Sequence, residues 1–354
     1  MKAPIVTTFL LAALGLGLSI LGPGKAHAKA FKPCGMEGSL TLLCGPEGVE
    51  DMQQIPGTNW VIGSGMAHGD TGGLRLIDIA AKTWTRFYPN PAAKVSQDKT
   101  DYFKCPGAPD PKTFSAHGIA LKETGPKTYQ VLAVNHAREA VEVFNVDTKS
   151  GTPEITWIGC VIMPDQVYMN SVTFLPKDGF AVTQFYNRSD KRGMLSIFAG
   201  EDSGGVYEWH TQLGVTEVPH TDLSGANGIA VSPDGKWLYV AAWGAHQIVR
   251  FSLGEGERKK DVVDVDFSPD NVRWAPDGSL LVAGQHSTRD PEAASPIYKG
   301  WEVVKLDPKT MKATKIAEGS TESKLQGVSN AIDINGTLWL GAFSGDVVGY
   351  MPMP

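Results

Sequence analysis

The chain has 354 residues, 42% hydrophobic and 20% charged, an ordinary globular composition with ample material for a core. Its formal net charge is −6, and no basic run exceeds the ERKKD that ends at Asp261. The concentrated basic face that nucleic acid requires is missing, so that class of partner is excluded. Forty glycines and 23 prolines interrupt the chain often, which favours many short strands joined by turns.

At the N-terminus, Lys2 precedes an apolar run from Ile5 to Leu21, then Gly22-Pro23-Gly24 and the small-residue pattern Ala26-His27-Ala28. This predicts a secretory signal over residues 1–28, removed from a mature domain of residues 29–354; a retained membrane anchor is the competing reading. No other stretch approaches the ~20 apolar residues that a span needs. Export would place Cys34, Cys44, Cys105 and Cys160 in an oxidising compartment, where an even number of cysteines predicts disulfides. Cys34 with Cys44 and Cys105 with Cys160 is the simplest of three pairings. No Cys-x-x-Cys pair is present, so zinc is not expected.

From residue 34 onward the apolar runs are short and bounded by Gly, Pro, Asp and Asn, as strands are. One degenerate phrase recurs: a polar residue, an apolar strand, a tight turn, and a second apolar strand. In chain order the copies start at Glu50 (EDMQQIPGTNWVIGSG), His117 (HGIALKETGPKTYQVLAVNH), Asn170 (NSVTFLPKDGFAVTQF), Asn227 (NGIAVSPDGKWLYVAAW), Asp270 (DNVRWAPDGSLLVAGQH) and Asn330 (NAIDINGTLWLGAF). A further strand-like run follows most of them. The recurrence predicts an all-β fold, a six-bladed β-propeller forming a single domain.

In a propeller the first strand of each blade lines the central channel, so the residues opening those strands gather at one mouth. Here the openers are Glu50 with Asp51, His117, Asn170, Asn227, Asp270 with Asn271, and Asn330. Carboxylate and amide oxygens suit a hard cation, and calcium, which takes six to eight oxygens in flexible geometry, fits better than magnesium or zinc. Glu50, Asn170, Asn227, Asp270 and Asn271 are the expected ligands. Asn and Asp also open strands for turn reasons alone, and convergence of all six is what favours an ion. His117 begins a strand and His136 ends the next, so antiparallel pairing sets the two imidazoles side by side at the same mouth. An imidazole titrates near neutrality and can take a proton from water. Beside a metal that polarises a carbonyl, this pair predicts ester or lactone hydrolysis without a protein nucleophile. No Gly-x-Ser-x-Gly elbow is present.

The pair SAHGIAL and LAVNHAREAVEVF, with phrases running from GVEDMQQIPG to LQGVSNAIDINGTLWLGAFSGDVVGY, makes the mature chain resemble the paraoxonases. These are calcium-dependent arylesterases and lactonases within the wider group of SMP-30/gluconolactonase and strictosidine synthase-like propellers. The resemblance implies that Glu50, Asn170, Asn227, Asp270 and Asn271 hold a catalytic calcium, and that His117 is the base with His136 assisting. It places His286 in the substrate pocket and His246 in a structural role. It assigns Asp51 and the backbone carbonyl of Ile119 to a second, structural calcium. The remaining side-chain ligand of that second site falls at Ser171, which carries no charge. His68 and Asn330 fall at pocket-wall positions where the family has other residues. No cysteine follows Cys160, so ring closure is expected from strand pairing alone. Two other functions are weighed: a sugar-lactone hydrolase of the SMP-30 type using another divalent metal, and a non-enzymatic binding propeller. Trp243 is expected in the core or on the pocket wall, and Asn187 and Asn335 sit in glycosylation-type triplets.

Overall fold

The computed structural model describes residues 28–66, 72–254, 258–289 and 296–354. The expected signal segment, up to His27, and His68 lie outside the described residues.

Six small sheets follow one another along the chain and form the six blades of a β-propeller. Their inner strands are Val49–Gln54, Ala116–Gly125, Val167–Phe174, Ala226–Val231, Ser268–Trp274 and Val328–Ile334. Each inner strand carries one of the six phrase openers, and within each blade successive strands pair antiparallel from the channel outward. Among the described residues helix is confined to Met194–Phe198. Apolar side chains fill the gaps between neighbouring blades. Between blades 1 and 2, for instance, Tyr88 meets Phe114 and Phe144 edge-on at centroid distances of 5.2 and 4.8 Å. Trp157 is fully buried in the same cluster.

Blade 6 is completed by the other end of the chain. Its strand Val347–Pro352 pairs with Leu40–Cys44, which in turn pairs with Lys32–Glu37. Lys29–Ala30 then adds to the outer strand of blade 1, Thr83–Tyr88. The ring is therefore closed by strand pairing, as the lack of a cysteine after Cys160 leads one to expect. Cys34 and Cys44 are joined within the closing hairpin, with Cα atoms 5.7 Å apart. Cys105 and Cys160 tie the segment preceding blade 2 to its outer strand Glu154–Ile162, with Cα atoms 5.2 Å apart.

Each inner strand is irregular where its opener stands. Val49 pairs with Gly65 and Met52 with Gly63, so Glu50 and Asp51 together face Ser64. Asn170 and Ser171 likewise face Thr183, Asn227 and Gly228 face Ala241, and Asp270 and Asn271 face Ala283. In blade 2, His117 and Gly118 face Val134, and in blade 6 the shift falls at Ser329. These are β-bulges, which insert an extra residue, bend the strand and re-aim side chains. The backbone amides freed by the bulges are recaptured by hydroxyls opposite: Ser64 accepts from the Asp51 amide at 3.0 Å and Thr183 from the Ser171 amide at 3.0 Å.

Two bulges come so close to the next blade that glycine is required there. A Cβ on Gly118 would stand 2.5 Å from Ser171 Cα, and one on Gly228 would stand 2.3 Å from the Asp270 carbonyl oxygen. Backbone cannot yield as a flexible side chain can. Gly228→Ala is therefore expected to destabilise the fold by ~1–3 kcal/mol, the usual cost of overpacking. The midpoint of chemical denaturation would report it, and an unchanged midpoint would show that neighbouring bulges can separate.

Candidate metal and proton-transfer site

The bulges bring four of the expected oxygen donors into two bonded pairs, Glu50 with Asn271 and Asn227 with Asp270. Glu50, Asn170, Asn227, Asp270 and Asn271 are all buried. Asn271 donates its amide to Glu50 Oε1 at 2.6 Å, a contact between residues 221 apart in sequence. Asn227 forms a side-chain hydrogen bond to Asp270. Burial drives the Glu50 carboxyl well above the usual carboxylate range, and Asp51 and Asp270 push it further. Burial likewise raises Asp270, to about 7.

An ionised carboxylate buried without a partner costs several kcal/mol even after relaxation, and burial therefore pushes both groups toward their neutral forms. The side-chain oxygens of Asn170, Asn227, Asn271 and Asn330 are buried without a hydrogen-bond partner. Each such acceptor costs about 1–3 kcal/mol when left unsatisfied. Buried carboxyls bonded to Asn227 and Asn271, whose amide oxygens lack partners, match what a hard cation would supply, so these residues fit a calcium ion. Among the described residues no three His, Cys, Asp or Glu side chains cluster as a metal site. The fit therefore depends on amide oxygens joining the carboxylates, which suits calcium better than zinc.

Beside this ring the two histidines form a chain. His117 Nδ1 lies 2.6 Å from His136 Nε2, and His136 Nδ1 lies 2.9 Å from Glu139 Oε1. The other edge of His117 faces the ring, with Nε2 3.6 Å from Glu50 Oε1. Glu139 is buried in the turn between Thr128–Asn135 and Ala140–Asp147, with φ of 44°, an unusual conformation for a residue with a side chain. It also accepts from Arg188 at 2.7 Å and from the Met169 amide at 3.1 Å. This pins the tautomers. A carboxylate at His136 Nδ1 can only accept, so that nitrogen carries the proton and His136 Nε2 accepts from His117 Nδ1. The lone pair on His117 Nε2 then points at the ring. Burial, and next the nearby His136, hold His117 well below the ordinary imidazole range, so it is neutral near pH 7.

Half-buried aromatic rings continue outward from the histidines. Tyr168 stacks on His136 at 4.6 Å and on Tyr186 at 4.6 Å. Phe185 touches both Tyr186 and Trp243, and Phe198 reaches Trp243 at 5.9 Å. Trp243 is buried, and its indole donates to Gln285 Oε1 at 3.1 Å. Gln285 in turn donates to Asp270 Oδ2 at 2.7 Å. The tryptophan thus packs in the core and also fixes a ring residue at second hand.

Two sequence expectations need adjustment. Asn330 is not on a pocket wall: it is fully buried and donates to Asp51 Oδ1 at 2.7 Å. Asp51 and the Ile119 carbonyl do come together, but Arg273 occupies the space between them, donating to both. The pair therefore does not fit a second calcium. Elsewhere, His246 lies 3.2 Å from the Ser268 hydroxyl, and His286 is partly exposed and pairs with Glu302 at 3.2 Å. Sequence reasoning missed Glu139, Gln285 and Arg273. Only Glu139, three residues after His136, left a local signal.

Known proteins agree with this architecture. Over 219 residues the chain is 23% identical to STRICTOSIDINE SYNTHASE-LIKE 2 of Arabidopsis thaliana, a match covering 51% of this chain and 57% of that protein. Three solved structures share the fold. A luciferin-regenerating enzyme aligns with TM-score 0.50 at 11% identity, over 87% of this chain and 92% of its own. The calcium-binding regucalcin of Agrobacterium tumefaciens aligns with TM-score 0.50 at 13% identity, over 88% and 94%. The PQQ-bound aldose sugar dehydrogenase of Streptomyces coelicolor aligns with TM-score 0.51 at 13% identity, over 93% and 99%. At such identities the likeness speaks for the fold alone. Residues 63–318 match the SMP-30/Gluconolactonase/LRE-like region, and the chain belongs to that family.

Proposed function

We propose that this protein is an exported, calcium-dependent hydrolase of lactones or aryl esters, close in chemistry to the paraoxonases. The observation that carries the reading is the run Glu139–His136–His117, ending 3.6 Å from the buried Glu50 carboxylate. Membership of a family that includes gluconolactonases supports a lactone-directed hydrolase, and regucalcin supports a divalent metal in this fold. Two disulfides support an oxidising compartment. No helix among the described residues is long and apolar enough to cross a membrane.

Glu50, Asn170, Asn227, Asp270 and Asn271 would hold the ion, which when bound would polarise the substrate carbonyl and stabilise its oxyanion. His117 Nε2 accepts a proton from the attacking water. His136 keeps His117 in the accepting tautomer and shares the positive charge that develops. Glu139 orients His136 and offsets that charge, while Arg188 and the Met169 amide keep Glu139 in place. The aromatic run from Tyr168 to Trp243 favours a lipophilic acyl or aryl group over a sugar.

Metal removal is the broadest test. Chelation should abolish turnover of phenyl esters and lipophilic lactones and lower the thermal midpoint, and added calcium should restore both. Equal turnover in excess chelator would rule out the mechanism. On the same panel, faster hydrolysis of sugar lactones than of lipophilic ones would favour the gluconolactonase-type reading instead.

His117→Gln should cut kcat by roughly 10² or more, the scale of a lost general base, while calcium binding measured by calorimetry stays intact. An undiminished kcat removes His117 from the chemistry.

Glu139→Gln tests the positioning role. A glutamine amide can donate to His136 Nδ1 and reverse both tautomers. A fall in kcat of roughly tenfold or more is expected with little change in KM, and Glu139→Asp should recover part of it. If KM rises and kcat holds, Glu139 serves only the shape of the site.

A further inference from the structure

Below the oxygen ring, the Arg273 side chain crosses the channel. It comes from the inner strand of blade 5 and is buried, as is Asp51 of blade 1. The guanidinium makes a fork on the carboxylate: Nε donates to Oδ1 at 3.0 Å and Nη2 to Oδ2. Nη2 also donates to the Ile119 carbonyl of blade 2 at 3.2 Å, and Nη1 to the Val272 carbonyl at 2.7 Å. Asp51 has further donors. The Met52 amide and Asn330 Nδ2 reach Oδ1, each at 2.7 Å, and the Ile119 amide reaches Oδ2 at 2.8 Å. A carboxylate offers about four lone-pair positions, and here five donors share them. No acceptor capacity remains for a metal ion.

We propose that the Arg273 guanidinium is a built-in cation standing where a second divalent ion would otherwise bind, so that the chain carries one ion-binding site, the ring above. Ser171, whose hydroxyl is buried with no partner, fits this exchange. A bound metal at this depth would want a further anionic ligand, and a guanidinium already matched to Asp51 does not. Charge balance without a metal also follows from the fork. A guanidinium pairs with a planar carboxylate at two points, so Asp51 has its counter-charge within the chain whether or not calcium is present. The fork joins blades 1, 2 and 5, and Asn330 adds blade 6. The centre of the propeller is thus clamped by side chains of the chain itself.

The proposal depends on the ring reading only for the ion that remains, and its test keeps the two apart. Metal-free full-length protein is titrated with calcium chloride by calorimetry, with equilibrium dialysis to count bound ions. The wild type is expected to bind one. Arg273→Ala combined with Ser171→Asp should bind one more than the wild type, and adding Asp51→Asn should remove the extra ion. Two ions on the wild type, or no gain in the folded double variant, overturns the proposal. If the wild type binds none, the ring is wrong, and a gain from none to one in the double variant still decides for Arg273. Should the double variant not fold, Arg273→Met with Asp51→Asn removes both charges together. It is expected to keep the wild-type ion count, and loss of an ion in this pair refutes the proposal.

Discussion

In a regular strand consecutive side chains point to opposite faces, so a channel-lining strand offers the channel only every second residue. The inner strands here escape that rule because each is bulged where its polar opener stands. Two neighbouring residues, such as Glu50 and Asp51 or Asp270 and Asn271, are thereby both turned toward the axis region. Bulges would normally leave backbone amides unsatisfied. The hydroxyls of Ser64 and Thr183 take them up, and glycine at positions 118 and 228 lets adjacent blades close on one another. The proposed ring, the clamp below it and the placing of His117 all depend on this one backbone device.

Electrostatics then divides the channel in two. In the lower part, Asp51 meets Arg273 and carries its counter-charge within the chain. Higher up, Glu50 and Asp270 are bonded by amides, with Arg273 acting on them only through its field; burial raises both, as it raises Asp51. An ionised carboxylate buried without a partner costs several kcal/mol, large against the ~5–15 kcal/mol that keeps a domain folded, and burial shifts Glu50 and Asp270 toward their neutral forms accordingly. The ion proposed for the upper part would favour their ionised forms, so its binding would be linked to folding. Arg273 spares the lower part the same dependence.

The propeller fold by itself does not name a reaction, because this architecture hosts a sugar dehydrogenase as readily as a luciferin-regenerating enzyme. What separates this chain is its side-chain detail. The run Glu139–His136–His117 makes a directed lone pair out of two imidazoles, and Glu139 does so from a left-handed turn residue whose conformation costs of order 1–3 kcal/mol. The stacked rings of Tyr168 and Tyr186 give the same corner an apolar wall. Both features belong to blades 2 and 3, and they underlie the lipophilic substrates proposed above.

Much of this was legible in the sequence. The recurring phrase set the number of blades and the phase of the inner strands, because strand, turn and strand are short-range features with their own residue preferences. The nearness of His117 and His136 followed from a single hairpin, whereas the disulfide pairing stayed open among three options until the structure gave the simplest of them. Three things were not legible. A bulge depends on how a strand meets its neighbour, so periodicity along one strand cannot reveal it. The fork from Arg273 to Asp51 spans 222 residues, and only closure of the ring brings blade 5 across the axis to blade 1. Asn330 looked like a wall residue until the fold buried it against the same carboxylate. The sequence alone determined which residue types line the channel. The tertiary structure decided which carboxylate is answered by an arginine and which by amides, since that choice turns on distances across the axis that no local pattern encodes.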